Sequence, residues 1–271
     1  MPPVPMTLGL STYAFFWQHS ARASKPISLT GMIQRTADAG GEVLQICDYP
    51  LIETMTAAQV SAVRSAADTS GVALELGIRG VRASRLEEAL KLANSLGARV
   101  VRTMLYSSTD RPTLSEATQE LRSAARQFAA HGVKLALETY EQVATEDLVA
   151  IVEEVGEADL GICLDPANVV ARLENPRQTI DRAVDYVLNL HVKDFRFERQ
   201  AGLVGFSLSG CLLGTGQLGL DYLYEKVRPA DRGISQIVEH WLPWQDDDPT
   251  TLRTEQEWTA HSLATMRLRL H

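Results

Sequence analysis

The chain has 271 residues, 45% hydrophobic and 22% charged, with 26 basic against 34 acidic side chains and a formal net charge of −8. These proportions exclude a disordered or fibrous protein, and the length suits either two small domains or one large α/β domain. An acidic chain repels phosphate backbones at long range, so nucleic acid is not an expected partner.

The opening MPPVPMTLGL lacks the basic and long apolar regions of a secretory signal. No uninterrupted apolar run approaches the ~18 residues of a membrane span, so the expected address is cytoplasmic, with no membrane partner. Three widely spaced cysteines, Cys47, Cys163 and Cys211, fit neither a disulfide framework nor a zinc ribbon.

In chain order, short aliphatic runs alternate with amphipathic segments. The runs are Thr7–Ser11, Glu42–Cys47, Val72–Ile78, Arg99–Leu105, Val133–Leu137, Leu160–Leu164, Val187–Leu190 and Ile234–Val238. Between them lie helix signals: Thr56 with Gln59, Ser84 with Glu87 and Thr113 with Glu116 read as capping boxes, and Asn175 before Pro176 as an N-cap. Gly71, Gly97 and Gly132 stand where short helix-to-strand turns need them. Strands separated by helices must be parallel, and eight such units predict a single (β/α)8 TIM barrel spanning 1–271, with a C-terminal helix packed on the outside. A doubly wound open sheet is the rival, but STYAFFW follows the first strand in place of a glycine-rich dinucleotide fingerprint. Between the seventh and eighth runs, Asp194–Gly233 forms a long insertion of the kind that covers an active site.

In such barrels function sits at the C-terminal strand ends. Four consecutive runs end in Glu138, Asp165, His191 and Glu239. Taken singly, each is more simply a surface or capping group. Converging at one barrel mouth, three anions would repel one another unless a cation gathers them. Carboxylate oxygens with one imidazole suit Mn²⁺ or Mg²⁺ and admit Co²⁺ or Zn²⁺. Such an ion leaves positions open for adjacent oxygens of a hydroxy-ketone, which makes it a Lewis acid.

These strand ends, LALETYE, CLDPAN, LHVKD and IVEH, together with LLGTGQLGLDYL, resemble the xylose-isomerase-like TIM barrels grouped as sugar phosphate isomerases and epimerases. The resemblance covers nearly the whole chain. It implies a divalent metal, commonly Mn²⁺, held by Glu138, Asp165, His191 and Glu239, and a pair of glutamates, Glu138 and Glu239, acting as acid and base on opposite faces of the substrate. It also implies a small carbohydrate-like substrate. Asn168 stands where ketose epimerases of the family have histidine, a departure that counts against a free-ketohexose 3-epimerase while leaving the amide able to bind a substrate hydroxyl.

Other positions are open to two readings. Lys193 either neutralises an anionic substrate oxygen or pairs with Asp194. Arg196 and Arg199 contact substrate or are solvated loop charges, since neither falls at the family's arginine spacing. Glu141 orients a ligand or begins a loop. His19, with Tyr13, Phe15, Phe16 and Trp17, either walls the mouth or packs a loop, and His19 is the non-ligand candidate for proton transfer. Gly214–Gly216 reads as a phosphate-cradling turn or as a structural loop over the site.

The main functional expectation is a metal-dependent isomerase or epimerase acting by carboxylate proton abstraction beside a carbonyl. A lyase acting on a cyclic polyol ketone or a dehydroshikimate-like ring starts from the same abstraction. A non-catalytic binding or regulatory subunit is a further alternative, and a DNA-repair endonuclease is disfavoured by the negative charge and the single strand-end histidine. The sequence does not fix an oligomeric state, a homo-oligomer included.

Overall fold

The computed structural model describes residues 8–200, 202 and 204–270. Thr7, expected to open the first strand, lies outside them. Eight parallel strands close into a barrel: β1 (Leu8–Ser11), β2 (Val43–Ile46), β3 (Ala73–Arg79), β4 (Val100–Met104), β5 (Lys134–Glu138), β6 (Leu160–Leu164), β7 (Val187–Val192) and β10 (Ser235–Val238), hydrogen-bonded in the order β1-β10-β7-β6-β5-β4-β3-β2. Outside it run α1 (Leu29–Asp38), α2 (Ala57–Ser70), α3 (Ala83–Leu96), α4 (Leu114–Ala130), α5 (Thr145–Val155), α6 (Pro176–Ala183), α7 (Leu220–Val227) and α8 (Asp248–Arg267). This is the (β/α)8 architecture expected from the alternating runs.

Local chemistry sets most boundaries. The Thr56 and Thr113 capping boxes both form, and Asn175 accepts the Arg177 amide with Pro176 in the first turn. Ser84 is the exception: α3 begins one residue earlier, with Arg82 at the cap position and no side-chain hydrogen bond there. Arg82 is held instead by the Asp110 carboxylate at 2.7 and 3.0 Å, and tertiary pairing has displaced the local cap.

Strand periodicity positions everything that follows. Paired residues in neighbouring parallel strands point to the same side, and alternate residues point into the barrel. The register pairs Gln45 with Glu75, Gly77 with Arg102, Glu138 with Cys163, Asn189 with Ser235 and His191 with Ile237, which puts these side chains on the interior face. The other face, with Leu44, Leu74, Leu76 and Val101, packs beneath the helices. Gly77 has to be glycine: a Cβ there would run into Cys47 Sγ and press on the Arg102 guanidinium.

The insertion after β7 forms an antiparallel hairpin, β8 (Asp194–Arg199) with β9 (Phe206–Cys211), followed by a loop into α7. Asp194 fastens it. Its carboxylate accepts the backbone amides of Phe195, Gly214, Gly216 and Leu218 at 2.9 to 3.0 Å. The loop amides that read as a phosphate cradle are therefore satisfied by an aspartate of the chain itself, and Gly214–Gly216 is structural.

Candidate active site

Glu138 ends β5, Asp165 follows β6, His191 lies in β7 and Glu239 follows β10, so four adjacent staves deliver one group each to the C-terminal mouth. All four are buried. One ligand atom from each lies within 4.8 Å of the others. His191 Nδ1 is 3.3 Å from Glu138 Oε1 and 3.5 Å from both Asp165 Oδ2 and Glu239 Oε1. Ligand atoms arranged around one divalent ion at ~2.0–2.6 Å fall within such a span.

The quartet also passes a chemical test for a cation. Glu138 Oε2, Asp165 Oδ2, His191 Nδ1 and Glu239 Oε1 are buried and accept no hydrogen bond. Arg102 Nε stands 3.0 Å from Glu138 Oε2, and Lys193 Nζ 2.5 Å from Asp165 Oδ2, close enough for ion pairing but misdirected for hydrogen bonding. Unpartnered buried acceptors are costly and uncommon, and four together form a group able to hold a divalent metal.

The imidazole is oriented from below. Gln45 spends its amide hydrogens on Glu75 Oε2 at 2.9 Å and Asn189 Oδ1 at 3.0 Å, so its Oε1 faces His191 Nε2 at 2.7 Å. Nε2 must then be the protonated nitrogen, which leaves the Nδ1 lone pair aimed at the carboxylates. Burial disfavours an imidazolium at His191, yet the negative groups around it outweigh burial and hold its pKa well above the usual value. The same carboxylates would attract a divalent cation. Burial keeps the neighbouring thiols protonated, Cys163 being pushed up to about 11, so no thiolate competes for the ion.

The remaining candidates divide. Asn168 donates to Glu138 Oε1 at 3.1 Å and to the Thr139 carbonyl at 3.4 Å, and so orients a quartet member with the amide expected to meet substrate. Lys193 is buried and does not pair with Asp194. Its ammonium lies between Asp165 and Glu239, 2.7 Å from Glu239 Oε2, with the Trp241 ring 5.0 Å away. Arg196 is not brought to the quartet: it is half exposed on the hairpin and pairs with Glu198 at 2.9 Å. Arg199 stacks on Phe206. Glu141 is exposed and, among the described residues, accepts only from Gln142 at 3.4 Å. His19 packs edge-on to Phe16 and Tyr49, and burial lowers its pKa.

Arg102 escapes the sequence reading. It is among the largest fully buried side chains, sits in the middle of β4 and pairs with Glu138. An arginine inside the apolar run RVVRTML was the available signal, because a buried guanidinium needs a buried anion.

Residues 33–262 match the family model described as xylose isomerase-like TIM barrel. The chain belongs to this family. The chain is 48% identical over 258 residues to the 3-oxo-isoapionate decarboxylase of Pectobacterium atrosepticum, covering 95% of this chain and 94% of the relative. The fold is also similar to D-psicose 3-epimerase from Clostridium cellulolyticum H10, solved with D-tagatose, with a TM-score of 0.74, 15% identity and 98% and 100% of the two chains covered. A xylose isomerase-like TIM barrel protein from Mycobacterium smegmatis, solved in complex with magnesium, gives a TM-score of 0.69 at 15% identity, with 98% of each chain covered. Among the described residues no helix is long and apolar enough to cross a membrane.

Proposed function

We propose that this protein is a divalent-metal-dependent decarboxylase of a small 3-oxo sugar acid. One observation carries the choice between lyase and epimerase: both glutamates expected to exchange protons with carbon are already engaged by buried cations, Glu138 by Arg102 at 3.0 Å and Glu239 by Lys193 at 2.7 Å. Adjacent cations favour the carboxylate form and weaken it as a base. Decarboxylation of a 3-oxo acid needs no base at carbon, whereas isomerisation and epimerisation do. The 48% identity to a 3-oxo-isoapionate decarboxylase across 95% of the chain supports the same substrate class.

A 3-oxo acid carries its ketone β to the carboxylate. As the bond between carbons 1 and 2 breaks, carbon dioxide leaves and the electron pair stays on carbon 2, conjugated with the ketone. Glu138, Asp165, His191 and Glu239 would hold the divalent ion, with Mn²⁺ the expected metal. When bound, the ion supplies Lewis-acid stabilisation of the negative charge that grows on oxygen. Arg102 and Asn168 fix Glu138 from two sides, and Gln45 fixes the tautomer of His191. Lys193 Nζ and Glu239 Oε2 share the proton that carbon 2 takes up. The buried walls exclude water from this charge, which strengthens each of these interactions.

The test is to incubate the Mn²⁺-loaded protein with 3-oxo-isoapionate in deuterated water. Carbon dioxide should be released with one deuterium on the product carbon that was carbon 2 of the substrate. Deuterium appearing in recovered substrate with no carbon dioxide released would instead return the assignment to an isomerase or epimerase.

A further inference from the structure

Opposite the quartet, the mouth of the barrel carries a second built feature. Arg79 closes β3, and alternation along Glu75, Gly77 and Arg79 turns its side chain inward above the Arg102 guanidinium. Asp48, just beyond β2, takes the Nε and Nη2 hydrogens of Arg79 at 2.7 and 2.9 Å. Asp48 does so from a left-handed backbone conformation, φ 46°, which is uncommon for a residue other than glycine and is maintained here at a strand end facing the site.

The pair is part of the mouth rather than of the outer surface. Tyr13 follows β1 and Asp48 follows β2 at the same end of the barrel, and burial pushes the Tyr13 hydroxyl up, with the charge of Asp48 adding to it. The arginine is 43% exposed, and its Nη1 donates to nothing among the described residues. A guanidinium gripped along one edge offers the other edge, Nη1 with Nη2, in the fixed fork that matches a carboxylate.

We infer that Arg79, aimed by Asp48, binds the carboxylate of the substrate across the mouth from the acid–imidazole quartet. This deepens the proposed decarboxylase reading by assigning the end of the molecule that is lost. It also explains the strained Asp48: an unaimed arginine would meet the anion at some cost in side-chain freedom. Arg79 binds substrate, and Asp48 is a positioning residue.

A matched set of five-carbon probes tests it by calorimetry on the Mn²⁺-loaded full chain: ribonate, ribulose and ribulose 5-phosphate. Arg79→Met should weaken ribonate about 10- to 100-fold, the size of one charge-assisted pair, and leave ribulose and Mn²⁺ affinity unchanged. Arg79→Lys should restore part of the loss, and Asp48→Asn should weaken ribonate by a smaller factor. Equal losses for ribonate and ribulose would make Arg79 structural, and unchanged ribonate affinity would remove it from recognition. A loss confined to ribulose 5-phosphate would overturn the carboxylate assignment in favour of a phosphate. These are binding readouts, so absence of carbon dioxide release would sink the decarboxylase reading without touching them.

Discussion

The barrel interior holds two polar rings, one above the other. The lower ring, Gln45, Glu75, Asn189 and Ser235, contains a fully buried carboxyl, and the upper ring, Glu138, Asp165, His191 and Glu239, contains three. In the lower ring every side-chain polar atom has a partner: Glu75 accepts from Gln45, Asn189 and Ser235 at 2.9, 3.0 and 2.5 Å. In the upper ring four atoms have none. Two buried polar rings in one barrel thus do opposite things. A closed hydrogen-bond network is a structural floor, and an open one is a receptor for a cation.

Substitution should separate the two rings. Glu239→Gln removes one anion and the partner of Lys193, and we expect turnover to fall by about 10³-fold or more, the scale of a lost acid–base or metal-holding group, with circular dichroism unchanged. Glu75→Ala should do the reverse. It strands the donors of Gln45, Asn189 and Ser235 and opens a cavity, which costs about 4 kcal/mol of stability in urea unfolding. Equal stability losses in the two variants would erase the distinction between floor and receptor.

Another buried acid, outside the barrel, sharpens the contrast. Glu255 on α8 accepts the amides of Trp17 and Gln18 at 2.8 and 3.1 Å and the Gln18 side chain at 3.0 Å, tying the aromatic loop after β1 to the terminal helix. Burial pushes its pKa up to about 7 despite these donors. With an unfolded-state value near 4.3, its stabilising contribution is complete below about pH 4.3 and is lost as pH rises through about 7, a change of about 4 kcal/mol. Unfolding titrations of the wild type against Glu255→Gln should therefore show the wild-type advantage shrinking from about pH 4.3 to 7 and flat above. A difference independent of pH would mean that Glu255 ionises normally.

The fold and the quartet were legible in the sequence for one reason. Each quartet residue ends its own apolar run, so the punctuation that marks the strand also marks the group. Glu75 and Arg79 were not legible because they lie on the polar face of a strand. In ALELGIR, alternation reads as one face on a core and one in water. Closure of the barrel reverses that meaning: the apolar face looks outward to the helices, and the polar face looks into the interior. No single strand records this, because it is a property of all eight together. Ser84 missed for a related reason, and Arg196 took the solvated of its two readings. The Arg82–Asp110 pair displaced the local cap, and the hairpin carries Arg196 away on a strand that the insertion's sequence did not announce.

The link between the two rings is Gln45, and its removal is the finest cut. Gln45→Leu leaves the quartet residues intact and takes away the acceptor that holds His191 Nε2–H, together with the donors to Glu75 and Asn189. Partners of this kind are typically worth 10- to 100-fold in metal affinity, about 1.4–2.8 kcal/mol. Calorimetric titration with Mn²⁺ should show that weakening. Gln45→Glu, which keeps an acceptor under the imidazole, should bind Mn²⁺ at least as tightly as the wild type. Both variants disturb the lower ring, so a loss common to the two would trace to the floor, and only a loss confined to Gln45→Leu supports control of the histidine tautomer from below.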